Sequence, residues 1–362
     1  MVGPWARTAI DLLTADAQAE RRTPLRHVPL PDDWPFALYV KDESARPTGS
    51  MKHGFARDLL IDALAGGRIG RHTPLVEATS GNMAVAEAYF ARLLGLRFTA
   101  VVPAKTSPSK RARIEQHGGD CHPVDPPPAV YQRARELAYQ RGGHYLDHLA
   151  NLRDVVDARV TDRSYGPAAK ILRDLADIGQ PAPAWIVLGV GTGAGSRAAG
   201  RYLRHWDHPT RVAVVDPENS AYFPGWVTDC GDYATGMPSR IEGIGRPRME
   251  PAFDGSVVDQ VIPVPDAASV AAMRYLDDVM GLRAGPSTGA CFQGACRILS
   301  RMRRDGVTGT VVLVAADSGE PYADTYYDDD WVAAKGWSLD GPTAELEHFM
   351  RTGVLEGTRG RR

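Results

Sequence analysis

Short apolar runs alternate with longer stretches of helical spacing through most of this chain. "TPLVEAT" is followed by "NMAVAEAYFARLLGL", "RFTAVVP" by "SPSKRARIEQHGG" and "DCHPVD" by "AVYQRARELAYQRGG". Later, "AWIVLGV" leads through a Gly-rich loop into "SRAAGRYLRHW", and "VVDQVIPV", "AASVAAMRYLDDVMG", "GACFQGACRILSRMRRDG" and "GTVVLVAADSGE" complete the rhythm. This alternation defines an α/β chain with parallel sheets. The strands read as continuous apolar runs, the pattern expected when helices cover both faces. Parallel α/β sheets bind ligands at the carboxyl ends of their strands. Three Gly- or Ser-rich turns fall there, "PTGSMKHG" (47–54), "ATSGNMA" and "GVGTGAGS", and "ADSGEPY" follows the last strand. Four unusual turns at equivalent positions converge on one site.

The rhythm breaks at "ANLRDVVDARVTDRSYGP", which places a domain boundary near residues 150 to 165. The expected division is a smaller α/β domain at 45–155, a larger one from 1–44 and 156–340, and a C-terminal tail at 341–362. Residues 217 to 256 lack periodicity, and a stretch that long reads as a functional loop region. Beyond about residue 320 the chain is rich in Tyr, Asp and Trp and is expected to wrap the surface. A net charge of −2 gives no electrostatic footprint for nucleic acid or an anionic membrane. No apolar run reaches the roughly 18 residues of a membrane span, and the first residues do not form a signal peptide. The Arg-rich end, "RTGVLEGTRGRR", reads as a solvated tail. Cys121, Cys230, Cys291 and Cys296 have no metal-ligand spacing, so they read as reduced thiols of a cytoplasmic protein. Cys291 and Cys296 share one predicted helix and read as buried structural thiols.

Lys52 sits on the tight turn between the strand-like "FALYVKDES" and the helical "FARDLLIDALAGG". A helix N-terminus is a positive dipole end. It lowers the cost of losing the lysine proton, and a neutral lysine is a nucleophile. In "GVGTGAGSRAAG" (189–200), glycines let backbone N–H groups approach a phosphate, and the helix terminus favours its charge. The same segment supports a rival reading: Gly189, Gly191 and Ala194 fit G-x-G-x-x-A, and Asp216 ends the next strand, as in a dinucleotide fingerprint. In "EATSGNMAVAEAYF", Thr79, Ser80 and Gly81 offer hydroxyls and amides before a helix, which suits a carboxylate, while Asn82 can donate and accept. The plain alternative is an N-cap.

Taken in order, "KDESARPTGSMKHG", "TSGN", "GVGTGAGS", "RIEGIGRPRMEP" and "DSGEPY" resemble a fold-type II pyridoxal-phosphate enzyme over nearly the whole chain. "GHYLDHLAN", "VVDPENS" and "PSRIEGIGRPR" are most similar to the cysteine desulfhydrase and cysteine synthase branch. The resemblance implies two domains with parallel twisted sheets flanked by helices, and pyridoxal 5'-phosphate as cofactor. Lys52 would form the internal Schiff base and then remove the substrate Cα proton. Asn82 would bond the ring hydroxyl, and Gly191, Thr192, Gly193, Ala194, Gly195 and Ser196 would hold the phosphate. Ser318, or Asp317 one position earlier, would face the pyridine nitrogen. Thr79, Ser80, Gly81 and Met83 would line the substrate carboxylate, and Gly243 in "IEGIG" (Glu242 to Gly245) would border the mouth. A hydroxyl at the ring nitrogen suits elimination because it does not force that nitrogen to stay protonated.

Three departures bear on the substrate. Ala194 and Gly195 replace a Gly-Thr pair, so one phosphate-binding hydroxyl is lost unless Ser196 or Thr192 supplies it. Met83 replaces the usual Thr and removes or moves a carboxylate donor. His148 in "DHLAN" stands where cysteine synthases often carry Gln; it can bind the carboxylate as a cation or take part in proton transfer, against the plain reading of a histidine at a strand end. Arg246 and Arg248 meet either an acidic substrate group or structural ion-pair partners. No metal is expected, "HYLDH" being the only hint. The reaction expected is β-elimination from L-cysteine or a related β-substituted alanine, through a Cα carbanion stabilised by the cofactor, giving sulfide, pyruvate and ammonia. The alternatives are β-replacement on an activated serine, a serine or threonine dehydratase, a catalytically dead relative, and the NAD-binding oxidoreductase of the 189–216 unit. The expected partners are a small amino-acid substrate and a second copy of the chain in a homodimer, with neither nucleic acid nor membrane.

Overall fold

A computed structural model describes residues 2–355; the end of the Arg-rich tail, 356–362, lies outside the described residues. Along the chain the strands are β1 (Leu25–His27), β2 (Phe36–Asp42), β3 (Leu75–Glu77), β4 (Phe98–Pro103), β5 (Asp120–Val124), β6 (His144–Tyr145), β7 (Trp185–Gly189), β8 (Arg211–Pro217), β9 (Gln260–Val264) and β10 (Gly309–Ala315). The helices are α1 (Pro4–Ala19), α2 (Lys52–Ala65), α3 (Asn82–Leu93), α4 (Pro108–Gln116), α5 (Val130–Gln140), α6 (His148–Asp157), α7 (Gly166–Asp177), α8 (Ala194–His205), α9 (Tyr222–Val227), α10 (Asp266–Met280), α11 (Pro286–Arg304), α12 (Asp329–Ala334) and α13 (Asp340–Thr352). The chain forms two compact units: residues 1–22 with 46–155, and 23–45 with 156–362.

The smaller unit holds a fully parallel sheet in the order β5-β4-β3-β6. Its strands are short, and Val76, Ala78 and Val101 pack on Val130, Ala134 and Leu137 of α5. The N-terminal segment joins this unit rather than the larger one. The reason is electrostatic. Glu20, just past α1, is gripped by Arg46, Arg57 and His53, with His53 Nε2 2.9 Å from the carboxylate. Asp16 accepts from Tyr89 Oη at 2.9 Å and lies 3.5 Å from His53 Nε2.

The larger unit holds the sheet β1-β2-β10-β7-β8-β9, parallel except for the edge strand β1. Alternate residues of β7 face opposite ways, as a strand demands. Ile186 and Leu188 pack with Ala199 and Leu203 of α8; Val187 packs with Ala290 and Phe292 of α11. Lys41 of β2 is buried, donating to Thr23 O at 2.6 Å and to Asp174 of α7 at 2.5 Å. The C-terminal segment does not merely wrap the surface. Leu346 and Phe349 of α13 are fully buried in the larger core, and burying such side chains contributes about 1.5–3 kcal/mol each. Cys291 and Cys296 are buried in α11, and burial raises both thiols; all four cysteines are free.

Burial raises the Glu20 carboxyl, but the His53 hydrogen bond and the charges of Arg57 and Arg46 outweigh it and bring the pKa down to about 2 from 4.5. A carboxyl depressed on folding stabilises above its unfolded value, and that stability is lost as pH falls towards the folded value. Glu20→Gln is expected to lower the melting temperature at neutral pH, with the gap to the parent closing between pH of about 4.5 and 2. Melting curves across that range check it, and a gap that stays constant with pH counts against the clamp.

Candidate active site

In the larger unit, β7 ends at Gly189 and the chain turns through Val190–Gly193 into α8. Gly193 has φ of 87°, a left-handed conformation that a side chain resists. A Cβ on it would also strike the backbone of Phe253. Ser196 Oγ donates to Gly193 O at 2.9 Å, and Thr192 Oγ1 accepts from the Ala194 amide at 3.3 Å. The amides of Thr192, Gly193, Gly195 and Ser196 have no acceptor among the described residues. A run of unsatisfied N–H groups at the start of a twelve-residue helix fits a phosphate. Tyr222 Oη donates to Gly191 O at 2.5 Å, and the Gly245 amide donates to Val190 O at 2.7 Å. The segment containing Gly243 therefore lies against the loop, close enough that a Cβ on Gly191 would meet Gly243 O.

β10 lies beside β7, so "ADSGEPY" also emerges in this sheet. Asp317 is committed inward: its carboxylate accepts from Tyr322 Oη at 2.6 Å, and its carbonyl accepts from the Gly285 amide at 3.1 Å. Ser318 is only half-buried, and its Oγ accepts from the Glu320 amide at 3.2 Å. Arg246 and Arg248 are structural. Both pair with buried Glu250, at 2.9 and 3.3 Å.

In the smaller unit, Lys52 is the first residue of α2 and half-buried, with Nζ 5.9 Å from the Phe55 ring centre. Its amide donates to Ser50 Oγ at 3.3 Å. The turn after β3 carries Thr79–Asn82 into α3, with Thr79 Oγ1 accepting the Gly81 amide at 3.4 Å. The amides of Ser80 and Met83 have no acceptor among the described residues, so the turn offers donors to a carboxylate. Asn82 Oδ1 accepts from Arg113 at 3.3 Å. β6 pairs with β3 in parallel, which brings His148, the first residue of α6, to the same end of this sheet. Its amide and its Nδ1 each lie 3.0 Å from Glu77 Oε2.

The dinucleotide reading fails at its acidic residue. Asp216 is buried rather than offered to a ribose, its Oδ2 accepts the Phe223 amide at 2.7 Å, and burial raises its carboxyl to about 6. Sequence reasoning missed Tyr222, Arg113, Glu77 and Glu87. The two glutamates had a visible signal: each is a lone charge inside an otherwise apolar run, "PLVEA" and "MAVAEAYF". Two groups of carboxylate and imidazole atoms come together in the fold, Asp16–Glu20–His53 and Glu77–Glu87–His148, although the sequence shows no metal-ligand spacing.

The parallel sheets, the lysine at the start of α2 and the phosphate loop before α8 define a fold-type II pyridoxal-phosphate enzyme. The family described as "Pyridoxal-phosphate dependent enzyme" matches residues 17–317, and the chain belongs to it. It is 48% identical over 352 residues to an L-cysteine desulfhydrase of Mycobacterium tuberculosis, covering 96% of this chain and 95% of that one. It is 32% identical over 307 residues to an N-(2-amino-2-carboxyethyl)-L-glutamate synthase of Cupriavidus metallidurans, covering 82% and 84%. Among solved structures, O-ureido-L-serine synthase superposes with a TM-score of 0.73 at 26% identity, covering 90% of this chain and 98% of that one. A hydrogen sulfide-producing enzyme from Fusobacterium nucleatum shares the fold, with a TM-score of 0.71 at 23% identity and coverage of 87% and 97%. The cofactor is therefore pyridoxal 5'-phosphate, and the unpaired amides of the loop before α8 fit its phosphate.

Gly193→Ala is expected to displace the loop from Phe253 and lower the cofactor occupancy of the purified protein. Absorbance of released cofactor per mole of chain checks this, and full occupancy counts against the loop.

Proposed function

We propose that this enzyme catalyses β-elimination from L-cysteine, releasing sulfide, pyruvate and ammonia. The observation that carries the reading is the 48% identity to an L-cysteine desulfhydrase along almost the whole of both chains. Lys52 would hold the cofactor covalently and would take the Cα proton of the substrate. Thr192, Gly193, Ala194, Gly195 and Ser196, with Gly191 before them, hold the phosphate. Asn82 bonds the ring hydroxyl. Ser318 serves the ring nitrogen, because Asp317 is already bound to Tyr322. Bound pyridoxal phosphate supplies the electron sink for the pair left at Cα.

The chain's own residues do the rest. Thr79, Ser80 and Gly81, with the Met83 amide, hold the α-carboxylate and so orient the Cα–H bond. His148 brings its imidazole Nε2 to the same end of the sheet as a contact for the substrate, and Gly243 borders the entrance. Proton removal at Cα followed by departure of sulfide from Cβ leaves a product that water converts to pyruvate and ammonia. The same reading makes the enzyme a cytoplasmic homodimer; free thiols and the usual state of fold-type II enzymes support it. β-Replacement on an activated serine is the second reading, supported by the resemblance to O-ureido-L-serine synthase and to the Cupriavidus synthase.

Addition of L-cysteine to the yellow holoenzyme is expected to shift its visible band, with recovery as sulfide and pyruvate appear in equal amounts. A stable shift without pyruvate, relieved only by an added nucleophile, favours replacement. Lys52→Ala is expected to leave no cofactor attached after borohydride reduction; a retained adduct in the mass spectrum refutes its role. His148→Gln is expected to raise replacement relative to elimination, and an unchanged ratio removes His148 from substrate choice.

A further inference from the structure

Beneath the β3–β6 strand ends lies a buried group of three: Glu77 and Glu87, both fully buried, and His148, their facing atoms within 4.8 Å of one another. Two carboxylates this close in the interior cannot both be ionised. The hydrogen bonds decide which keeps the proton. Glu77 Oε1 accepts the Ala78 amide at 2.6 Å, and Oε2 accepts the His148 amide at 3.0 Å, with His148 Nδ1 at the same distance. Two backbone amides and the imidazole beside it make Glu77 the anion. Glu87 has no donor at all, and both its oxygens lack a partner. A buried carboxylate in that state is costly, whereas a carboxylic acid has an O–H to give, and Glu77 is the acceptor beside it. Burial and the Glu77 charge push the Glu87 carboxyl well above the ordinary range.

We propose that Glu87 is a positioning residue that stays protonated, donates to Glu77, and through Glu77 holds His148 with Nδ1–H turned inward and Nε2 turned to the substrate. Glu77 then has a donor on every side and cannot rotate, so its hold on the start of α6 is fixed. Nε2 has no partner among the described residues, which leaves it for a ligand. With both Glu77 oxygens already occupied by backbone amides, the group is poorly suited to a metal ion. His144 and Tyr145 of β6 also sense the Glu77 charge, with burial the larger influence on each. The contact between Nε2 and substrate rests on the role given to His148 above; the protonation of Glu87 does not.

The discriminating pair is Glu87→Gln against Glu87→Met in the holoenzyme. Gln mimics the protonated acid, being neutral with an N–H to donate; Met keeps the bulk and removes the donor. Gln is expected to match the parent. Met is expected to raise KM for L-cysteine roughly 3- to 10-fold, the worth of one lost hydrogen bond, with kcat nearly unchanged. Nitrogen-15 spectra of the histidine rings should show His148 protonated at Nδ1 in the parent and Gln forms, and mixed in the Met form. Infrared difference spectra, parent minus Gln, should show a carboxylic-acid carbonyl stretch assigned to Glu87. A carboxylate band instead, or Gln as damaging as Met, overturns the proposal, and so does a Met variant with unchanged KM and tautomer. A shifted tautomer in Met with unchanged KM leaves the relay standing and refutes the substrate contact of His148; a KM for His148→Gln equal to that of the parent refutes the same contact.

Discussion

Each unit is governed by what happens at the carboxyl end of a parallel strand that turns directly into a helix. The first amides of such a helix have no carbonyl to bond, and a short turn denies them any other partner. In the larger unit that debt falls on Thr192, Gly193, Gly195 and Ser196. The turn keeps its shape because Tyr222, Gly245 and Phe253 press on it from the chain side. In the smaller unit it falls on Ser80 and Met83. Anions suit both places because the peptide groups are already oriented and need no reorganisation to receive them. In both places the anion-binding capacity is supplied by backbone rather than by arginine.

Buried acids in this protein divide by the donors and the charges around them. Glu20 and Glu77 are held as anions by N–H groups, their carboxyls lowered despite burial. Asp216 receives the Phe223 amide, and burial lifts its carboxyl to about 6; Glu87 receives no donor and is raised as well. Asp266 is also lifted to about 6 although the Glu218 amide and Arg240 donate to it, because burial and the Glu218 charge outweigh them. The lysines divide similarly. Lys41 is locked to Asp174 and Thr23 in the interior, while Lys52 stands half-buried at the start of α2.

The fold class and the turns were legible because their signals are local. Apolar runs and helical spacing mark β7 and α8, and the residues of "PTGSMKHG", "TSGN" and "GVGTGAGS" are each contiguous. Pairings between distant residues left no such trace. Glu20 finds His53 and Arg57, and Glu77 finds His148 across 71 positions, through sheet pairing that no periodicity records. Hence α1 was assigned to the wrong unit, and Glu77 and Glu87 went unnoticed although each is a charge inside an apolar run. The choice between Ser318 and Asp317 was open for a related reason. It turns on Tyr322 and Gly285, whose approach to Asp317 is a matter of packing. The C-terminal stretch reads as surface because its buried residues, Leu346 and Phe349, stand among polar and charged residues of α13.

The portion matched by the family runs from residue 17 to 317. Most of α1 and all of α13 fall outside it, yet both pack on the rest. Asp16 of α1 meets His53, Arg57 and Tyr89, and Leu346 and Phe349 of α13 fill part of the larger core. Trimming the protein to residues 17–317 would leave the turns of both sheets in place and remove that carboxylate and those two core side chains.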